Sequence, residues 1–398
     1  MREGWKQQSL LELVVLQNGY PFKPSDLGDE GLPVVRIREL MDPGIPMDCS
    51  TISIPQTMRI ESGDTIFSWS GRLEAVVWDR GPALLNQHLF KVTPQHPGVL
   101  KEFVLPMLQN LIPTMHVHGS TMKHITKREL SRVMVPLPPI EEQRRIVDLM
   151  GHIDAMIHAT TLSLDALRAS REAALSDWIP LVPESGTPLS SVSTITDCEH
   201  KTAPTAKEHE SVAGRVIGTP AIRDGRIISA EARPVSAATY SEWTGRRVPH
   251  QGDVVLTREA PVGQAALIRE EHGPLCLGQR TVLLSPGSSY DSAFLLSLLM
   301  SPAYQRWLRG ASVSQTVERI NVKRLSEMPV PQLPVEAQRA VGAQLEAMLE
   351  AEDRGVDEIE RLRALRAACL SALVTGSHEI PSAYDEFLSD EGWRDGVR

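Results

Sequence analysis

Four turn-like stretches of the sequence carry side chains of the kinds that contact nucleic acid. Arginine and lysine bind guanine and phosphate, asparagine and glutamine bind adenine, and hydroxyl groups bind the backbone. Each stretch would also suit a solvated surface loop. The candidates are Trp69, Ser70, Arg72, His118, Ser120, Thr121 and Lys123 in the first half, and His200, Lys201, Thr202, Arg246, Arg247, Arg258, Arg309, Ser314, Gln315 and Arg319 in the second.

No catalytic signature accompanies these stretches. The phosphate loop, the dinucleotide-binding glycine turn, the H-E-x-x-H and G-x-S-x-G patterns and the Asn-Pro-Pro-aromatic signature of adenine methyltransferases are all missing. His116 and His118 would need a third ligand from elsewhere to bind a metal, so a loop or DNA-facing role is favoured. We therefore predict a protein that recognises nucleic acid and is not itself an enzyme. We expect this chain to bind neither a metal nor a cofactor.

The charge is unevenly distributed along the chain. The net charge is −9, yet residues 1–138 carry 14 basic and 14 acidic side chains, and residues 186–333 carry 16 and 14. The acidic excess therefore lies outside these two segments, which leaves them able to approach phosphate with modest affinity. The four cysteines are far apart and are expected to be reduced core residues.

The sequence repeats itself at half its length. VPLPPIEEQRRIV from Val135 is echoed by VPQLPVEAQRAVG from Val330, an offset of 195. GDTIFSWSG at Gly63 corresponds to GDVVLTREA at Gly252, and LNQHLFKVTP (85–94) to LGQRTVLLSP (277–286). Two copies of one unit of about 190 residues indicate a duplication and not a solenoid.

Each copy has two parts. Short β-rich runs with Gly, Pro and Asp between them predict a compact α/β domain, and a Pro-rich break then precedes a long amphipathic stretch. The apolar stripe includes Ile146, Ile153, Met156, Leu164 and Leu167 in the first copy, and Leu345, Met348, Ile359 and Leu362 in the second, with faults at Thr160 and Glu352. Such a stripe suits a coiled coil, and the alternative is a helix packed on its own domain.

Geometry predicts how these helices run. The second must return toward the first domain to pack along the first helix, so we expect an antiparallel pair and internal pseudo-twofold symmetry. The predicted fold class is α+β, with two similar α/β domains joined by two long antiparallel coiled-coil helices. The predicted divisions are 1–138, helix 139–180, 181–333 with a Pro-rich linker at 178–188, helix 334–376, and an acidic tail 377–398 that is disordered or weakly docked.

The repeated E-x-Q-R motif stands where each domain meets its helix. It comprises Glu141, Gln143 and Arg144 in the first copy and Glu336, Gln338 and Arg339 in the second. Two roles remain open: bonding the junction, or contacting a partner subunit.

This duplicated order resembles the specificity subunit of a Type I restriction-modification system. NGYPFK at Asn18, GDTIFSWSG and NQHLFKV are similar to the first target-recognition domain of that family, and TDCEHKTAP (196–204) is similar to the start of the second. The resemblance implies that each domain recognises half of a split duplex DNA site and that the helices set the unread spacer. It also implies docking of two methyltransferase subunits, which use S-adenosylmethionine, and of a restriction/translocase subunit.

Three alternatives remain open: a specificity subunit of another methylation-based defence system, a coiled-coil scaffold without DNA binding, and a self-sufficient modification enzyme. The chain has no long apolar run and no signal-peptide pattern, so we expect a cytoplasmic protein without a membrane partner.

Overall fold

The computed structural model of the chain describes residues 4–115, 125–313 and 318–388. They form two compact units: the first comprises residues 1–159 and 359–398, and the second residues 160–358. Both long helices pass from one unit into the other, so each unit contains half of each helix. No helix among the described residues is both long enough and apolar enough to cross a membrane.

In the first half of the chain, the residues that the structure describes form ten strands and four short helices, followed by the first long helix. The strands are β1 (Lys6–Ser9), β2 (Val14–Asn18), β3 (Leu32–Val35), β4 (Cys49–Ser50), β5 (Arg59–Ile60), β6 (Thr65–Ser68), β7 (Glu74–Val77), β8 (Ala83–Leu85), β9 (Leu89–Pro94) and β10 (Met134–Leu137). The helices are α1 (Leu10–Leu13), α2 (Ile37–Met41), α3 (Val104–Leu111), α4 (Lys127–Leu130) and α5 (Ile140–Trp178).

The second half adds eleven strands and six helices among the described residues. The strands are β11 (Thr187–Pro188), β12 (Ser193–Asp197), β13 (Val212–Ile217), β14 (Ile222–Arg223), β15 (Arg226–Ile227), β16 (Arg233–Ser236), β17 (Val254–Thr257), β18 (Ala265–Leu267), β19 (Leu275–Leu277), β20 (Thr281–Pro286) and β21 (Pro329–Val330). The helices are α6 (Leu189–Val192), α7 (Ala237–Trp243), α8 (Ser292–Met300), α9 (Pro302–Ala311), α10 (Val322–Ser326) and α11 (Val335–Val374).

The two units repeat one sheet topology. The first contains a four-stranded antiparallel sheet in the order β2-β9-β6-β7, and the second contains the same sheet in the order β12-β20-β17-β18. Each unit also has a smaller sheet with one parallel pair, β3 with β8 and β13 with β19. The predicted α+β class with a duplicated domain is therefore confirmed.

The long helices run antiparallel within each unit. In the first unit Arg366 Nε lies 2.5 Å from Asp154 Oδ1, while Arg145 Nε near the start of α5 lies 2.6 Å from Asp385 Oδ1 beyond α11. In the second unit Arg171 Nε lies 2.6 Å from Glu352 Oε1. Along these contacts the residue numbers of α5 rise while those of α11 and the segment after it fall, as expected for antiparallel helices. At 1.5 Å per residue, the 39 residues of α5 span about 58 Å.

The buried face of these helices is broader than a coiled-coil seam. Ile146, Met150 and Ile153 belong to the same core as Phe103 and Leu108 of the first unit, together with Leu370, Leu373 and Val374. Leu345 and Leu349 similarly join Phe294 and Leu298 in the second unit. Each half-helix therefore packs on its own unit as well as on the other helix, so both sequence interpretations hold in part.

Two stripe positions were wrongly predicted to be buried. Met156 is 53% exposed and Leu167 is 38% exposed, whereas Leu349 and Leu370, which the 3–4 spacing missed, are buried. A helix with two packing partners buries a wider arc than a single seam, and the arc rotates where the partner changes. Glu352, predicted as a fault in the stripe, is 2% exposed and paired with arginine.

The segment after α11 docks on the first unit. Arg145 makes two bonds to the Asp385 carboxylate, and the Tyr384 hydroxyl donates to Asp148 Oδ2 at 2.8 Å. Ile380 is buried in the core of that unit. Residues 377–388 thus dock on the first unit through a specific set of contacts, and residues 389–398 lie outside the described residues.

Candidate nucleic-acid interface

The sheet order brings three strand ends to one edge in each unit. β12 and β17 both run antiparallel to β20, which lies between them, so their carboxyl ends lie at the edge where β20 begins. The same relation holds for β2, β6 and β9. We call this edge the loop edge of each four-stranded sheet.

In the second unit the loop edge is organised around Arg258. Its side chain is only 9% exposed; Nε lies 3.1 Å from Asp197 Oδ1, and Nη2 lies 3.2 Å from His200 Nδ1. Its backbone N–H donates to the Arg280 carbonyl at 2.9 Å, and its carbonyl accepts from Ile320 N at 2.8 Å. Arg258 therefore ties together segments that are up to about 120 residues apart in sequence.

Exposed basic and polar groups surround Arg258. Arg246 donates to the carbonyls of Asp197 and Cys198, each at 3.2 Å, and its Nε lies 3.1 Å from Glu199 Oε1. Lys201 is bonded to Glu242, which raises the pKa of the Lys201 ammonium and keeps it charged. This ammonium also lies 5.0 Å from the centroid of the Trp243 ring.

Two further candidates belong to this cluster. Thr202 is exposed, directly after Lys201. Arg319 is exposed and forms a backbone bridge with Glu259, the residue after Arg258. The structure therefore gathers His200, Lys201, Thr202, Arg246, Arg258 and Arg319 at one edge.

Two predicted contacts lie elsewhere. Arg247 Nη2 is 3.9 Å from Asp253 Oδ1, next to the start of β17 and hence at the opposite end of the sheet. Arg309 is exposed in the last turn of α9, where it lines a cavity with Arg168 and Arg306.

In the first unit the loop edge is amide-rich and aromatic. The Trp69 ring is stacked on Phe90 with 5.7 Å between centroids, and its Nε1 donates to the Gln87 carbonyl at 3.3 Å. The same carbonyl accepts from Asn18 Nδ2 at 3.3 Å. Arg72 is 70% exposed, with Nε 2.8 Å from Glu74 Oε2.

Ser70 differs from the expectation. Only 2% of it is exposed, and its carbonyl accepts from the buried Ser68 hydroxyl at 3.2 Å, so its own hydroxyl faces away from solvent. Buried Ser70 and Arg258 are placed to support the loop edge and not to offer a free polar group. His116, His118, Ser120, Thr121, Lys123, Ser314 and Gln315 lie outside the described residues.

Several loop-edge residues were missed by the sequence interpretation. They are Asn18, Gln87 and His88 in the first unit, and Asp197, Gln279 and Arg280 in the second. The internal match of LNQHLFKVTP to LGQRTVLLSP already pointed to four of these residues, since it aligns the turn before β9 with the turn before β20. Within the described ranges, no group of three or more His, Cys, Asp or Glu is arranged to hold a metal ion.

The E-x-Q-R glutamines occupy equivalent buried positions. Gln143 is fully buried; its Nε2 donates to Gly98 O at 2.6 Å and Pro138 O at 2.8 Å, and its Oε1 accepts from Leu100 N at 2.9 Å. Gln338 is 1% exposed and repeats the pattern at the start of α11. Its amide bonds to Leu333 O at 2.8 Å, Ser289 O at 3.4 Å and Asp291 N at 2.8 Å.

The charged members of the motif face solvent. Glu336 and Arg339 are 84% and 60% exposed and lie 2.9 Å apart, and Glu141 and Arg144 are also exposed. The motif is thus divided between a buried amide that bonds the helix to its domain and an exposed charged surface.

Comparisons with known proteins agree with this architecture. The family described as "Type I restriction modification DNA specificity domain" matches residues 2–166. The chain is 24% identical to the EcoBI specificity subunit of Escherichia coli, over 87% of this chain and 80% of that protein. It is 18% identical to the MjaVIII specificity subunit of Methanocaldococcus jannaschii, over 80% of this chain and 79% of that protein.

Solved structures share the fold over nearly the whole chain. The S subunit from M. genitalium superposes with a TM-score of 0.56 at 13% identity, covering 93% of this chain and 96% of that one. A chain from a structure of the type I R-M system gives 0.58 at 18% identity, covering 94% and 98%. With its duplicated sheet and its two long antiparallel helices, the chain is similar in sequence and in fold to Type I restriction-modification specificity subunits over most of its length.

Proposed function

We propose that this chain recognises an asymmetric, bipartite duplex DNA target for a Type I restriction-modification complex, one half-site per unit. The observation that carries the proposal is the loop edge: the same three strand ends meet in both units, but with different side chains. Equivalent edges suit equivalent tasks, and different side chains suit different sequences.

The proposed contact residues are the exposed ones at the two edges. They are Arg72 with half-buried Trp69 in the first unit, and His200, Lys201, Thr202, Arg246 and Arg319 in the second. Arg72, Lys201 and Arg246 are ion-paired to Glu74, Glu242 and Glu199, and His200 Nε2 lies 3.2 Å from Asp197 Oδ2. Such pairs hold the basic groups in place, and DNA phosphates would compete with the carboxylates, which favours modest affinity with strong dependence on salt.

We further propose that the long helices serve as the docking surface for two methyltransferase subunits and that a restriction/translocase subunit joins the complex. The exposed charges of Glu141, Arg144, Glu336 and Arg339 occur at equivalent positions on both helices, so one partner surface suits both. S-adenosylmethionine would be bound by the methyltransferase subunit, and the complex would act in the cytoplasm on the host's DNA.

The test is a methylome. The chain is co-expressed with its cognate methyltransferase subunit in a host without other modification, and N6-methyladenine is mapped by long-read sequencing. A split, asymmetric motif that requires this chain is the expected result. A soluble complex that produces no such motif would overturn the proposal in favour of a protein scaffold.

A further inference from the structure

One surface residue, a glutamine, is the same in both units at a position where its neighbours differ. Gln87 lies in the turn between β8 and β9, and Gln279 lies in the turn between β19 and β20. Each turn has three residues, Asn86-Gln87-His88 and Gly278-Gln279-Arg280, and only the middle residue is repeated. Each turn connects the smaller sheet to the four-stranded sheet, at the loop edge.

The two turns are held by equivalent backbone bonds. Asn86 N donates to Val35 O at 3.0 Å at the end of β3, and Gly278 N donates to Ile217 O at 2.8 Å at the end of β13. The preceding strands β8 and β19 pair in parallel with β3 and β13. Gln87 and Gln279 are therefore structurally equivalent as well as matched in sequence.

Each turn is also anchored to the candidate interface. The Gln87 carbonyl accepts from Asn18 and Trp69, and the Arg280 carbonyl accepts from Arg258 N. Arg280, directly after Gln279, adopts φ +71°, a left-handed conformation that costs a non-glycine residue energy and is concentrated at functional sites.

The side-chain amides have no structural task within the described part of the chain. Neither the Gln87 nor the Gln279 amide makes a hydrogen bond there; Gln87 is exposed and Gln279 is half-buried at the surface. The contrast is with the other repeated glutamines, Gln143 and Gln338, whose buried amides make three bonds each. Here the same residue occurs twice without an internal partner.

We propose that Gln87 and Gln279 are specificity-determining residues that each recognise an A·T base pair in their half-site. Two units that recognise different sequences need the same side chain only where the half-sites share a feature. A glutamine amide can donate an N–H to N7 of adenine and accept from its N6 amino group through the carbonyl oxygen, a bidentate match in the major groove. This inference rests on the proposed function, because it assumes that the loop edge faces DNA.

The experiment compares methylomes of the complete complex with wild-type chain, Gln87→Ala and Gln279→Ala. Gln87→Ala should reduce the preference for A·T at one position of one half-site by roughly 10-fold or more, and Gln279→Ala should do so only in the other. Gln87→Glu and Gln279→Glu keep the shape but lose the donor, and a carboxylate accepts from cytosine N4, so preference should move toward C·G.

Matched controls are Gln251→Ala, exposed at the opposite end of the second sheet, and Gln56→Ala, exposed in the first unit; both should leave the motif unchanged. An unaltered motif in the Gln87 and Gln279 variants, or a uniform loss of methylation without a change at any one base, would overturn the inference. Half-sites without a shared A·T pair would also overturn it. If the wild-type complex gives no split motif, the proposed function itself fails, and that outcome is distinct.

Discussion

Arg171 and Glu352 form an interhelical ion pair inside the second unit, with Nε 2.6 Å from Oε1 and 13% and 2% of the two side chains exposed. Arg226 adds a second contact, with its Nη2 3.2 Å from Glu352 Oε2. Glu352 therefore places a buried carboxylate between two guanidinium groups, at a position of the buried helix face where the apolar stripe would otherwise continue. It links α5, α11 and the β14–β15 hairpin, and fixes their register because the geometry of the pair is directional.

Replacing Glu352 with alanine should therefore destabilise the second unit by about 3 kcal/mol, because it leaves the largely buried Arg171 guanidinium without its carboxylate, while Arg226 keeps its pair with Asp353. Urea unfolding monitored by circular dichroism measures the change. Glu350→Ala, an exposed carboxylate on the same helix, is the control and should stay within about 0.5 kcal/mol of wild type. A cost for Glu352→Ala as small as that of the control would mean that the ion pair does not form in solution.

Gln143→Leu and Gln338→Leu should each cost about 2–3 kcal/mol, since leucine fills the site but leaves one buried N–H and two carbonyls without partners. The two costs should be similar because the bond patterns are. Gln344→Leu, at an exposed position two turns beyond Gln338, should be nearly neutral. Chemical denaturation of the three variants tests this, and a neutral Gln338→Leu would refute the structural role of the motif.

The docked segment 377–388 should loosen in acid. The hydrogen bond from Arg145 lowers the pKa of the Asp385 carboxyl, so its contribution is complete above the unfolded-state pKa of about 3.9 and is lost as the pH falls through the lower folded-state pKa. Hydrogen exchange of residues 377–388, corrected for intrinsic rates, should show protection at pH 7 that decreases below about pH 4.

Asp385→Asn should weaken this protection already at pH 7, whereas Glu386→Gln, an exposed neighbour without a bond among the described residues, should not. Equal behaviour of the two variants would argue that the ion pair with Arg145 contributes nothing to docking.

Lengthening both helices tests whether their length sets the number of unread base pairs between the two half-sites. Gly355 is a poor insertion site, because an alanine Cβ there would meet Leu164 Cδ1 at 3.4 Å and this position therefore packs within the second unit. Insertions after Ala159 and after Glu358 instead leave the contacts of both units intact. Seven residues add about 10.5 Å of helix, which corresponds to roughly 3 base pairs of DNA.

The expected methylome therefore has both half-sites unchanged and a longer unread spacer. A heptad in α5 alone should disrupt the pairing of the helices and abolish methylation, which makes it the matched control. Changed half-site sequences with an unchanged spacer would refute the hypothesis that helix length sets the spacer.

The sequence was sufficient to predict the duplication, the two long helices and the similarity to Type I specificity subunits. These features are carried by patterns that repeat: an E-x-Q-R motif at an offset of 195, proline just before each helix start, and apolar residues at helical spacing. Local chemistry determines each of them, so they are visible without knowing which residues meet. The acidic tail could not be placed from such local patterns, because the bonds of Tyr384 and Asp385 depend on residues more than 200 positions away.

The interface illustrates the same division. Residue types alone indicated Lys201, Arg246 and Arg319 as candidates, but also buried Ser70 and Arg247 at the opposite end of the sheet. Only the sheet order, with β20 between β12 and β17, determines which turns share an edge. Composition and spacing thus determined what the chain is built from and that it is built twice. The tertiary structure decided which glutamine amides make internal hydrogen bonds, as in Gln143 and Gln338, and which make none among the described residues, as in Gln87 and Gln279. That difference depends on long-range backbone pairing that no local pattern encodes.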